Sequence, residues 1–95
     1  MQTISMVEKA GRFCENKDIA REIREEVLLP ALESDEAVTF DFNEVSGVTQ
    51  SFIHALVSEA LRRYPEIAYD RIFYKNACAE VQEIISIVYA YMQQG

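Results

Sequence analysis

Val38-Thr39-Phe40-Asp41-Phe42-Asn43-Glu44-Val45-Ser46-Gly47-Val48-Thr49-Gln50-Ser51-Phe52 carries a strand, a loop and the start of a helix in one run. From Ala37 onward, Val38, Phe40 and Phe42 alternate with Thr39 and Asp41, the period-2 pattern of a strand with β-branched and aromatic residues. Asn43 to Gly47 is rich in loop formers. Beyond it, from about Thr49 or Ser51 to Tyr64, the period becomes helical: Phe52, Leu56, Val57, Ala60 and Leu61 fall on one stripe. Pro65 is expected to stop that helix.

The same strand-then-helix grammar recurs on either side. Upstream, Thr3 to Val7 alternates, with Ile4 and Met6 on one side, and Gly11-Arg12 marks a turn. Asn16 is a candidate N-cap for a helix whose stripe is Ile19, Ala20, Ile23, Val27, Leu28, Ala31 and Leu32. Pro30 lacks an amide donor and should kink or end it in its last turn. Downstream, Asp70 to Lys75 reads as a strand, and Asn76 is expected to cap a final helix. The apolar set of that helix, from Cys78 and Val81 to Tyr91 and Met92, covers more than one face.

Three such units predict an α/β fold in β-α-β-α-β-α order. Its sheet is mainly parallel, with three to four strands, and it carries three helices. Ninety-five residues hold one domain, spanning residues 1–95. The first two strands alternate, whereas strands buried on both faces read as unbroken apolar runs. One face of the sheet is therefore expected to be thinly covered. The final helix leaves Ile84, Ile87 and Tyr91 on a strip beside its core-facing residues, which raises the expectation of a homodimer through that helix.

Charge and cysteine usage narrow the function classes. The net charge of −7 argues against direct binding to nucleic acid or to anionic membranes, both of which call for clustered Lys and Arg. Cys14 and Cys78 belong to no Cys-x-x-Cys or Cys/His set, and read as reduced thiols acting as small apolar groups. Met1 to Ser5 lacks the basic flank and apolar block of a signal peptide, so a cytoplasmic protein is expected. No metal or cofactor is implied. Gly47 stands alone rather than in a phosphate-binding glycine motif. Ser51 and His54 are three apart, but Gln50-Ser51-Phe52 lacks the glycines of a nucleophile elbow. The expectation is that the chain is not an enzyme.

The working surface is expected where the strand end meets the helix, since ligands and partners meet the carboxyl ends of strands in open α/β sheets. Ser46, Thr49 and Ser51 place hydroxyls at or beside a helix N-terminus. Thr49 or Ser51 can simply cap the helix. A phosphate on Ser51 would gain from the helix end while Asp41 and Glu44 repel it.

These pieces also carry a resemblance. Gly11-Arg12-Phe13, Ile19-Ala20-Arg21, Val38 to Phe42, Val45, Thr49 to Phe52 and Tyr74-Lys75-Asn76 together resemble the bacterial STAS-like family of unknown function, over most of the chain. That family is similar to the STAS domains of anti-sigma-factor antagonists. In those, a strand ending in Asp-hydrophobic-Ser/Asn leads to a helix that opens with Asp-Ser-Ser-Gly, and a kinase phosphorylates the second serine. Asp41-Phe42-Asn43 matches the strand end, and Ser51 falls at the phosphorylated position. Thr49, Gln50 and Phe52 stand where the pattern has aspartate, serine and glycine, a departure that bears on kinase recognition and leaves the fold comparison intact.

The resemblance implies a regulatory protein-binding module whose partner is a kinase-like anti-sigma factor or ATPase regulator. The implied contact residues are Asn43, Ser46, Thr49, Gln50, Ser51 and Phe52, with Arg12 beside them. Two other classes stay open: a small acidic inhibitor of a nucleic-acid-binding protein, and a small-molecule-binding domain or enzyme.

Overall fold

Alternation along the strands decides which side of the sheet is buried. The computed structural model describes residues 2–94; Met1 and Gly95 lie outside the described residues. Strands β1 (Gln2–Ser5), β3 (Val38–Asp41) and β5 (Ile72–Lys75) form a parallel sheet in the order β1-β3-β5. Gln2, Val38 and Ile72 lie in register, as do Ile4, Phe40 and Tyr74 two residues on. Ile4, Val38, Phe40 and Ile72 are buried. The intervening row is Thr3, Thr39 and Phe73; Thr3 and Phe73 on the outer strands are exposed, and Thr39 on the central strand is buried. The sheet therefore buries one face fully and leaves the other thinly covered, open along its outer strands, as the alternation requires. Crossovers between parallel strands are right-handed, and two that run the same way along a sheet put their helices on one side.

Helix α1 (Met6–Ala10) starts where the sequence pattern continues the first strand. Met6 and Val7, expected to extend that strand, instead begin this short helix, and Met6 is fully buried. A two-residue spacing over five residues does not separate the end of a strand from the first turn of a helix. Gly11 ends α1 at φ 84°, a conformation that suits glycine.

Helix α2 (Lys17–Ile23) is capped by Asn16, whose side chain accepts from the Asp18 and Ile19 N–H groups. It continues through a π-helical turn at Arg24–Leu28 into α3 (Leu29–Glu33). The distortion expected at Pro30 thus falls one turn earlier. The Leu29 N–H reaches back five residues to the Arg24 carbonyl, and this wider turn lets the chain stay helical through Pro30 to Glu33.

Helix α4 (Gln50–Arg63) ends at Tyr64, and Pro65 opens α5 (Pro65–Arg71) rather than only stopping its predecessor. Proline suits that first helical position because its missing N–H has no intrahelical partner there. Helix α6 (Ala79–Gln94) begins three residues later than Asn76, which sits at φ 58° in the turn after β5 and does not cap it. Two-residue strands β2 (Phe13–Cys14) and β4 (Gly47–Val48) pair in parallel as a separate small sheet. The fold is thus the expected compact α/β domain with parallel strands. The added β2, β4, α1 and α5 are each too short to print a period on the sequence.

The core is continuous. Phe40, Phe42, Phe52, Leu28, Leu32, Ile53, Leu56 and Val57 are fully enclosed or nearly so. Tyr74 of β5 packs its ring near Phe40 and Phe42, and its hydroxyl meets that of Tyr89 on α6 at 2.7 Å. Burial raises both phenol pKa values, so the pair stays neutral and ties α6 to the sheet. Phe52→Ala should cost about 3–5 kcal/mol in urea unfolding, whereas Phe73→Ala on the open sheet face should cost about 1 kcal/mol or less.

Candidate functional site: the loop-to-helix junction

Asp41 ends the central strand and organises the loop beyond it. Its Oδ1 accepts from the Asn43 N–H and from the Asn76 side-chain amide, each at 3.0 Å. Lys75 Nζ stands 3.9 Å from Oδ2. The Asn76 amide first, then the Asn43 N–H, hold the Asp41 carboxyl below its ordinary value against some desolvation. The loop then turns tightly. The Val45 N–H donates to the Phe42 carbonyl at 3.0 Å, and Glu44 takes φ 67°.

The small β2–β4 sheet carries the chain from this loop to the helix. Ser46 donates to the Arg12 carbonyl through both its N–H at 2.8 Å and its hydroxyl at 3.1 Å. The Thr49 N–H donates to the Cys14 carbonyl at 3.0 Å. Gly47 packs closely under the half-exposed Phe13 ring: a Cβ there would stand 2.9 Å from it, so the ring would have to shift. Cys14 is buried, and desolvation raises its thiol to about 11, so it stays protonated at neutral pH. Cys78, also unpaired, points its Sγ at the Val45 and Ser46 carbonyls.

Thr49 and Ser51 divide the work at the helix start. The Thr49 side chain accepts from the Phe52 N–H at 3.1 Å and is the N-cap. That leaves the Ser51 hydroxyl exposed on the first turn, without a hydrogen-bond partner among the described residues. Ser51 lines a hollow of about 440 Å³ together with Lys17, Gln50, His54, Val88 and Tyr91.

The site residues anticipated from sequence fall into three groups. Arg12 and Ser46 are brought together, and Arg12 Nη2 lies 3.9 Å from Glu44 Oε1 across an exposed gap. Gln50 and Ser51 face the hollow, and Asn43 is exposed beside Asp41. Phe52 is fully buried, which places it in the core that anchors α4 and away from any contact surface.

Lys17, not singled out from sequence, and Tyr91, anticipated there only as part of the apolar strip of the final helix, line the hollow with Ser51. They come from α2 and α6, so no spacing within one helix could have placed them. His54 is exposed one turn after Ser51 and lies edge-on to Tyr91 at 6.3 Å between ring centroids. No carboxylate lines the hollow among the described residues. No group of three or more His, Cys, Asp or Glu side chains among the described residues is placed to hold a metal ion. No helix among them is long and apolar enough to cross a membrane.

Against this geometry, the family model described as a STAS-like domain of unknown function (DUF4325) matches residues 20–82. The chain belongs to that STAS-like family. The match takes in about two thirds of the chain, from α2 through the junction and β5 to the first turn of α6. Lys17 and Tyr91 of the hollow lie outside it. No curated protein and no solved structure matches the chain.

Thr49→Ala should lower stability by about 1 kcal/mol, and Ser51→Ala should stay within about 0.5 kcal/mol of wild type in the same urea titration. A second expectation concerns Asp41. A carboxyl with a lowered folded pKa adds stability that is present above its unfolded value of about 3.9 and is lost as pH falls through the folded value. Asn76→Gly, which keeps the left-handed turn accessible, should raise the Asp41 pKa toward that ordinary value in a carboxyl-carbon NMR titration. Lys75→Ala should raise it less.

Proposed function

We propose that this STAS-like domain is a regulatory protein–protein interaction module of the anti-sigma-factor-antagonist kind. Its contact surface is the exposed part of the junction from Asn43 to Ser51, with Arg12 at its edge, and Ser51 is its switch. The observation that carries this reading is the division of labour at the start of α4. Thr49 caps the helix, so Ser51 has no structural duty and presents a free, exposed hydroxyl beside Lys17.

A phosphate there would add a charge of about −1.5 to −2 at the positive end of a helix. It would change the contact surface without touching the core, because the residues that hold the helix in place are Phe52, Ile53 and Leu56 beneath it. Membership of the STAS-like family is in keeping with a regulatory role. A small-molecule site calls for an enclosed pocket with convergent polar groups. The hollow at Ser51 is instead an open one floored by Val88, a shape better suited to a protein surface.

Capture from the native cell lysate with wild-type, Ser51→Ala and Ser51→Asp domains tests the switch. The expected result is a protein retained by wild type and Ser51→Ala and lost with Ser51→Asp, while thermal melts of all three domains superpose. Equal retention of every bound protein by all three would sink it.

A further inference from the structure

The distribution of unpaired charge points to a docking trench that extends beyond the junction. Of the nine Lys and Arg residues, six lie within 4.0 Å of a carboxylate: Arg12, Arg21, Arg24, Arg63, Arg71 and Lys75. Of the three without such a partner among the described residues, Lys17 and Arg62 line one continuous feature. The hollow at Ser51 shares His54 and Tyr91 with a second one of about 400 Å³ that continues along α4 to Arg62.

Lys17 marks one end of this trench and Arg62 the other. Residues 51 and 62 of α4 are about 16 Å apart at 1.5 Å per residue, so the trench spans about three helical turns. Its middle is aromatic and apolar, with Tyr91 two-thirds exposed over the buried Val88. No acidic residue lines either half among the described residues, although the protein carries sixteen of them and a net charge of −7. Two unneutralised cations flanking an apolar strip complement carboxylates flanking an apolar strip.

We infer that the trench between α4 and α6 docks an acidic amphipathic segment of a protein partner, with Lys17 and Arg62 as the counter-charges and Tyr91 as the apolar contact. The inference rests on the protein-binding reading of the junction and names the chemistry of what is bound. It also gives the switch a mechanism. Ser51 sits at the Lys17 end, so an anion on Ser51 would neutralise Lys17 from within the chain and repel the incoming carboxylate. The acidity of the protein as a whole keeps such a partner off the rest of its surface.

Fluorescence anisotropy with a labelled amphipathic peptide of about three helical turns, bearing glutamates at both ends of a Leu/Phe stripe, tests this. The Lys17→Glu, Arg62→Glu double variant should weaken binding at least roughly tenfold, and replacing the peptide glutamates by glutamine should weaken it comparably. Arg63→Glu, one residue along and outside the trench, should leave affinity within about twofold. All three positions are exposed, and overlaid thermal melts check that the variants fold.

Four outcomes would overturn the inference: no saturable binding of the acidic peptide, equal binding of the glutamine peptide, an equal loss with Arg63→Glu, or a wild-type dimer in sedimentation that the double variant abolishes. The last would assign the trench to a second copy of this chain. Peptide binding that survives in Ser51→Ala, alongside lysate capture that ignores Ser51→Asp, would remove the switch and leave the trench standing.

Discussion

Parallel pairing of β1, β3 and β5 forces the segment after each strand to begin at the same end of the sheet. Ser5, Asp41 and Lys75 stand level in the ladder, so the starts of α1, the junction loop and the turn into α6 are brought together there. Three contacts between segments distant in sequence hold that end closed: the Phe42 N–H to the Lys75 carbonyl, the Asn76 amide to Asp41, and the Cys78 thiol over the Val45 and Ser46 carbonyls. The loop after the central strand is thus braced by the segment that follows β5. Its exposed side chains are presented by a nearly fixed backbone, which lowers the entropy cost of binding through them.

The small β2–β4 sheet extends this bracing to the helix itself. By taking the Ser46 and Thr49 amides onto the Arg12 and Cys14 carbonyls, it sets where α4 starts. Thr49 is then the residue that can reach the Phe52 N–H, and Ser51 comes two residues too late to do so. A two-residue shift in that ladder would exchange their roles. The separation of a structural hydroxyl from a free one is a consequence of sheet register rather than of residue type.

Charge obeys the same logic. A net charge of −7 describes the whole surface poorly, because most cations are spent locally on neighbouring carboxylates. What a partner meets in any one place depends on which cations are left over. Here the leftovers at Lys17 and Arg62 share a trench without acids among the described residues.

The amino-acid sequence by itself determined the architecture. The alternation at Val38–Phe42, the helical stripes at Ile19–Leu32 and Phe52–Leu61, and the Asn16 cap are local patterns, and the structure realises each of them. The thin covering of one sheet face was legible too, since exposure on alternate residues is written in the same period. Elements of two to seven residues, namely α1, β2, β4 and α5, left no such trace, and the π-helical turn that carries the chain past Pro30 depends on a hydrogen-bond register that residue type does not encode. Only the tertiary structure decided which hydroxyl caps α4 and set Lys17 of α2 and Tyr91 of α6 across from Ser51. The physical reason is common to both. A period along one segment reports which way its own side chains point, whereas a site built from three helices depends on packing between segments that share no period.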